Sequence, residues 1–164
     1  MADRLPRPEA VGGAIWAHDW YPYESYKTVH DRYITNAVNE GIIIANHLVF
    51  DEIRQGRRLI QVNIRGRIEC EYGLSISVDK WLEVDAGQSV RGYSYSYHAW
   101  IAENNQEVIR YDSAYGLNDL HCHLFDLNTG RESIYPVPMD RLPTLDAFMR
   151  IAVKLVRDHR EKSA

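Results

Sequence analysis

A chain of 164 residues is long enough for one real core and short enough to be a single domain. Its 45% hydrophobic and 26% charged content is ordinary for a globular protein, and no window approaches the roughly 18 consecutive apolar residues of a spanning helix. A net charge of −4 offers no general attraction to nucleic acid, two cysteines are too few for a disulfide scaffold, and Met1-Ala-Asp-Arg-Leu-Pro lacks the apolar stretch of a secretory signal, so a cytoplasmic protein is expected.

Residues 1–22 carry Pro6, Pro8, Pro22 and Gly12-Gly13 with no clean period. They read as an irregular arm before one domain over residues 23–164. The arm also holds Trp16, Trp20 and Tyr21, more aromatics than disordered tails carry, so part of it is expected to pack on the body or on a partner chain. From Glu24 to Glu40, Tyr26, Val29, Tyr33, Ile34, Ala37 and Val38 recur at helical spacing, and Gly41 is placed to stop the helix.

The middle of the chain reads as strand. Ile42–Phe50 is rich in β-branched and aromatic residues, and Arg54-Gln-Gly-Arg supplies a turn. In Leu59–Tyr72 the even positions Ile60, Val62, Ile64, Ile68 and Cys70 are apolar, and the odd ones run Gln61, Asn63, Arg65, Arg67, Glu69 and Glu71. One face is therefore buried and one wet, with Gly66 marking a bulge or bend. Leu74, Ile76 and Val78 continue the alternation. Strands follow at Val90–Ala102, Glu107–Asp112 and Leu120–Asp126, joined by short turns. A helix from Thr144 to Arg160 closes the chain, with Thr144 as its N-cap. Connections this short force antiparallel pairing. The expected fold is α+β: one antiparallel meander of about five to seven strands packed against an N-terminal and a C-terminal helix.

Alternation also selects candidate chemistry. On Leu120–Asp126, Leu120, Cys122 and Leu124 point inward, which turns His121 and His123 onto the polar face. Two such imidazoles suit a metal, a phosphate or an acid–base task. The neighbouring strands carry Arg110 and Asp112, then His98, so the expected catalytic group is His98, Arg110, Asp112, His121 and His123. The single histidines His18, His30, His47 and His159 read as surface residues. Tyr93, Tyr95 and Tyr97 read as cross-strand packing before a base-stacking platform. The cluster Arg54, Arg57, Arg58, Arg65 and Arg67 reads as a solvated hairpin that also offers a local basic patch. His121 and His123 resemble the opening of a cupin metal motif, but the following Leu124-Phe-Asp-Leu-Asn lacks the glutamate such a site needs. No cofactor is expected.

Ser96-Tyr-His-Ala-Trp, Arg110-Tyr-Asp-Ser-Ala, His121-Cys-His and a closing Leu142-Pro-Thr-Leu helix resemble, in that order, the TumE-type toxins of bacterial toxin–antitoxin modules or a sister family of that kind. The resemblance spans roughly the C-terminal half. It implies a short antiparallel sheet with a C-terminal helix, a growth-inhibiting activity, an antitoxin partner and RNA as target. For RNA cleavage without a metal, one of His121 and His123 would take the 2′-hydroxyl proton and the other, or His98, would protonate the leaving oxygen, while Arg110 would hold the phosphate and Asp112 would orient a ring. Arg65, Arg67, Tyr97 and Tyr111 would bind substrate. Two other readings stand beside this: a non-catalytic partner-binding domain using Trp16, Trp20 and the exposed tyrosines, and a metal-dependent enzyme using His121, His123 and a carboxylate.

Overall fold

Alternating β-branched and polar residues dominate the middle of the chain, and they form one antiparallel sheet of nine strands. The computed structural model describes residues 20–113, 119–138 and 143–163. The elements are β1 (Tyr21–Pro22), α1 (Tyr23–Asn39), β2 (Ile43–Asn46), β3 (Val49–Gln55), β4 (Arg58–Cys70), β5 (Leu74–Val84), β6 (Ser89–Ile101), β7 (Gln106–Ser113), β8 (Leu120–Phe125), β9 (Glu132–Pro136) and α2 (Leu145–Ser163). Strands β4 to β9 pair in chain order, while β2 and β3 share the outer edge of β4 and β1 pairs with the start of β6. No described helix is long and apolar enough to cross a membrane.

The α+β class, the antiparallel sheet and the two flanking helices agree with expectation. The additional strands have local causes. Tyr21–Pro22, read as the end of an irregular arm, pairs with Val90 and Ser89. Glu132–Pro136, read as a Pro-rich connection, pairs with β8. The expected strand Ile42–Phe50 is broken at His47-Leu48, and Gly66 explains the break. Its φ of +136° excludes other residues, and a Cβ there would stand 2.3 Å from the His47 carbonyl oxygen. The β2–β3 crossover thus presses on β4 at the position where a bend was expected. Trp16 and Leu142 lie outside the described residues.

Both helices cover one face. From α1, Tyr23, Tyr26 and Ala37 are buried; Val38, expected inside, is exposed. From α2, Phe148, Met149, Ala152, Val153 and Val156 reach the same core, and the Thr144 hydroxyl accepts a hydrogen bond from the Ala147 N–H at 3.1 Å. Val62, Ile64, Ile68 and Cys70 line the sheet side, but Ile60 is exposed and Leu59 takes its place. A register shift between Ile53 and Arg54 changes the phase at that end of the β3–β4 hairpin. Burying about a dozen such large side chains at roughly 1.5–3 kcal/mol each is what holds the helices to this face. The other face is left open, and it carries the polar rows.

Candidate active site

Because neighbouring antiparallel strands pair residue by residue, the polar face is organised as rows running across the sheet. One row is Arg67, Ser77, His98, Arg110, His123 and Ile134. The next is Arg65, Asp79, Ser96, Asp112, His121 and Pro136. All five residues expected to be catalytic therefore share one face, in two adjacent rows, and Arg65 and Arg67 extend those rows on β4. Neighbouring members of a row lie about 5 Å apart at their Cα atoms.

Within the first row each histidine has its own carboxylate. His98 Nε2 lies 3.0 Å from Glu107. His123 Nδ1 lies 2.6 Å from Glu132, and its Nε2 lies 3.5 Å from Asp112. Arg110 stands between them, with Nε 2.9 Å from Asp112 and Nη2 3.3 Å from both ring nitrogens of His123. His98 Nε2 and Arg110 Nε are shut off from solvent, and neither makes an aligned hydrogen bond despite its close carboxylate. Buried polar groups without an aligned partner are uncommon, and here both belong to one row. Burial pulls the His98 imidazole below its usual pKa; Glu107 opposes that shift and Arg110 reinforces it.

His121 is the outlying member. Its side chain is 36% exposed against 13% for His123, and its nearest carboxylate is Asp119 at 3.5 Å. The two histidines share a face, as alternation required, but they serve separate carboxylates. Among the described residues, no three His, Cys, Asp or Glu side chains stand where they would hold a metal ion. Cys122 points inward, as expected, and burial raises its thiol pKa to about 12.

Tyr97 and Tyr111 are not part of this surface. Both are fully buried on the helix-covered face, their rings 5.4 Å and 5.8 Å from Phe148. Their side chains therefore do not reach the polar face on which substrate binding was expected. Alternation alone carries this result, since each adjoins a row member in sequence and so points the opposite way. Tyr95 is likewise buried and meets Tyr97 edge to face, in line with a packing role; Tyr93 is exposed. The arginines of the β3–β4 hairpin are solvated as expected. Arg65 pairs with Asp51 at 2.7 Å and Arg67 with Glu69 at 3.5 Å.

Two members of the site had no clear signal in the sequence. Glu107 sits out of phase with Arg110 and Asp112, and an irregularity between Ala99 and Trp100 pairs it with Trp100 and returns it to the open face. The same irregularity lets Val108 and Ile109 both be buried. Glu132 belongs to β9, a strand hidden in the Pro-rich connection. Trp100, whose ring lies 5.2 Å from that of His98, walls the row on one side.

No curated protein and no solved structure matches the chain. The family model described as Toxin TumE does, over residues 39–157. The match begins well before Tyr95, so it takes in β2 to β5 as well as the C-terminal half in which the resemblance was first visible. It encloses both polar rows and the first two thirds of α2. The chain belongs to the TumE toxin family.

Proposed function

We propose that this chain is the toxin of a toxin–antitoxin module and cleaves RNA without a metal, using the His98–Arg110–His123 row. The observation that carries this reading is that row: two histidines, each with its own carboxylate, on either side of one arginine whose Nε lacks an aligned acceptor. Their backbones are about 10 Å apart, two strand spacings, which leaves room for a phosphodiester between the rings.

In the scheme this supports, His98 is the base, because burial favours its neutral form. It removes the proton from a ribose 2′-hydroxyl, whose oxygen attacks the adjacent phosphorus. The bond from phosphorus to the 5′-oxygen breaks, and His123 gives that oxygen a proton. The products are a 2′,3′-cyclic phosphate and a 5′-hydroxyl. Arg110 holds the non-bridging oxygens, where charge grows in the transition state, and Asp112 and Glu132 fix the guanidinium and the ring. His121 has a supporting place beside Asp112, and Arg65 and Arg67 continue the phosphate track. Arg65, Arg67 and Arg110 are each already paired with a carboxylate, so affinity should fall only shallowly with salt.

The test is growth arrest on induction together with cleavage of total RNA by purified protein, comparing wild type with His98→Ala, Arg110→Ala and His123→Ala. Loss of both activities in folded variants supports the scheme, as does mapping of cyclic-phosphate ends. Full toxicity from a folded His98→Ala/His123→Ala double variant would overturn it in favour of a partner-binding toxin. Co-purification with the product of an adjacent gene tests the antitoxin partnership.

A further inference from the structure

On the helix-covered side of the sheet, remote from the polar rows, β5 carries a lysine where its neighbours Val78 and Leu82 are apolar. Lys80 is only 8% exposed and has no carboxylate partner among the described residues. Its ammonium lies over the rings of Tyr26 at 5.1 Å and Tyr95 at 4.8 Å. A lysine is rarely buried without a counter-charge, because desolvation of its ammonium costs several kcal/mol.

The lysine opens onto a half-open cavity of about 30 Å³ lined by Tyr26, Val29, His30, Tyr33, Thr144 and Leu145. A water needs roughly 10–15 Å³ by that measure, so the cavity holds a group of two or three heavy atoms. Its polar lining is made of donors. The Tyr33 hydroxyl is shut off from solvent and has no hydrogen-bond partner. Thr144 caps α2, a 19-residue helix, and its hydroxyl already accepts from Ala147, which leaves its proton to donate into the cavity. The amino end of α2, with its partial positive charge, is thereby brought to the cavity. His30, expected at the surface, packs edge to face on Phe50 at 4.7 Å and lines the same space. The Asp146 carboxylate is felt by the Tyr33 hydroxyl, whose pKa it helps to raise, and Arg150 pairs with it at 3.0 Å.

We infer that this cavity is a binding site for a small carboxylate, held by Lys80, Tyr33 and Thr144 at the amino end of α2. An acceptor with one negative charge supplies what the lining lacks: a counter-charge for the ammonium and a partner for the orphan hydroxyl. A phosphate, with five heavy atoms, is larger than the two or three that the enclosed part holds. The site does not depend on the RNA-cleavage reading, since it occupies the opposite face and shares no residue with the rows.

Burial alone lowers the Lys80 pKa to about 7, and His30, at about 4, is neutral in the working range. The groups facing the ammonium are Tyr26 and His30 from α1 and Tyr95 from β6, with Tyr33 lining the same cavity; no carboxylate from α2 acts on it. A bound carboxylate stabilises the ammonium and raises its pKa, so affinity is full below about pH 7, where the free lysine is protonated, and falls as pH rises from there to the ammonium's pKa in the complex.

Isothermal titration of the full chain with sodium formate, at constant ionic strength from pH 6 to pH 9.5, tests this. One saturable site is expected. It should weaken about tenfold or more in Lys80→Met, weaken severalfold in Tyr33→Phe, and fall towards the alkaline end. Sodium phosphate should give no such site. The inference is overturned by absence of saturable formate binding, by equal binding in Lys80→Met, or by phosphate binding as tightly as formate. Should Lys80→Met fail to fold, a wild-type affinity flat across the pH range together with an unaltered Tyr33→Phe overturns it.

Discussion

The buried lysine makes folding stability depend on pH in a way that can be calculated. The Lys80 pKa is about 7 in the folded protein against an ordinary value of 10.5. Between those values the unfolded chain binds one more proton than the native one, so stability rises with pH by up to about 1.4 kcal/mol per unit. Integrated from pH 7 to pH 9.5 the gain is about 3 kcal/mol, a ceiling because buried groups relax. Tyr26 and Tyr95 bound the window from above, since burial raises both phenols and alkaline pH then favours the unfolded chain. Lys80→Met keeps the stem and removes the charge. It forfeits the contacts with the two rings, worth about 1–2 kcal/mol, and escapes the larger desolvation cost at pH 7. The variant should therefore match or exceed wild type near pH 7 and lose that advantage by pH 9.5. Urea unfolding followed by tryptophan fluorescence, in buffer free of carboxylates, measures both curves. Wild-type and Lys80→Met curves that run parallel across the window would refute the reasoning.

Cleavage rates should fall by about 100-fold or more in His98→Ala and in His123→Ala, and much less in His121→Ala, as read by single-turnover assays on a short RNA. The rate should also be lost on acidification as His98 takes up a proton, with a midpoint below about 6.5; a midpoint shifted upward argues against His98 as the base. Gly66→Ala should cost about 3 kcal/mol or more in chemical denaturation, because it combines a disallowed φ with a backbone clash at His47. Arg150→Met removes the contacts from Arg150 to Asp146 at 3.0 Å and to Glu40 at 2.7 and 2.9 Å, and should lower stability by about 1–3 kcal/mol in the same assay. Acidification from about pH 6.5 towards pH 4 should destabilise the wild type through His30, which resists protonation only when folded; His30→Phe should flatten that limb of the stability curve.

Much of this was legible because strand alternation is a local rule. It assigns Arg65, Arg67, His98, Arg110, Asp112, His121 and His123 to one side and Cys122 to the other without knowledge of the fold. The same rule sends Tyr97 and Tyr111 inward, away from the rows they were expected to join. What escaped is what breaks the rule. Val108 is one residue more than the pairing needs, so Glu107 changes side. Ile60 leaves the core where the β3–β4 register slips. Glu132 lies in a five-residue strand ending in Pro136, and proline masks an edge strand because it cannot donate to a ladder. Lys80 falls on the apolar phase of β5, where only the position of α1 and α2 shows that it is enclosed.

The meander also determines how the site comes into being. Arg110 and His123 are 13 residues apart in the chain and His123 and Glu132 are 9 apart, so each contact closes across a single hairpin. Pairing at such short range costs little loop-closure entropy and proceeds fast. The polar row can therefore zip up strand by strand from β6 to β9, before the end of α1 is joined to α2 by the Glu40–Arg150 pair, 110 residues apart. A nascent chain would assemble its chemistry in the order in which it emerges, and the late docking of the helices would be what makes that chemistry rigid.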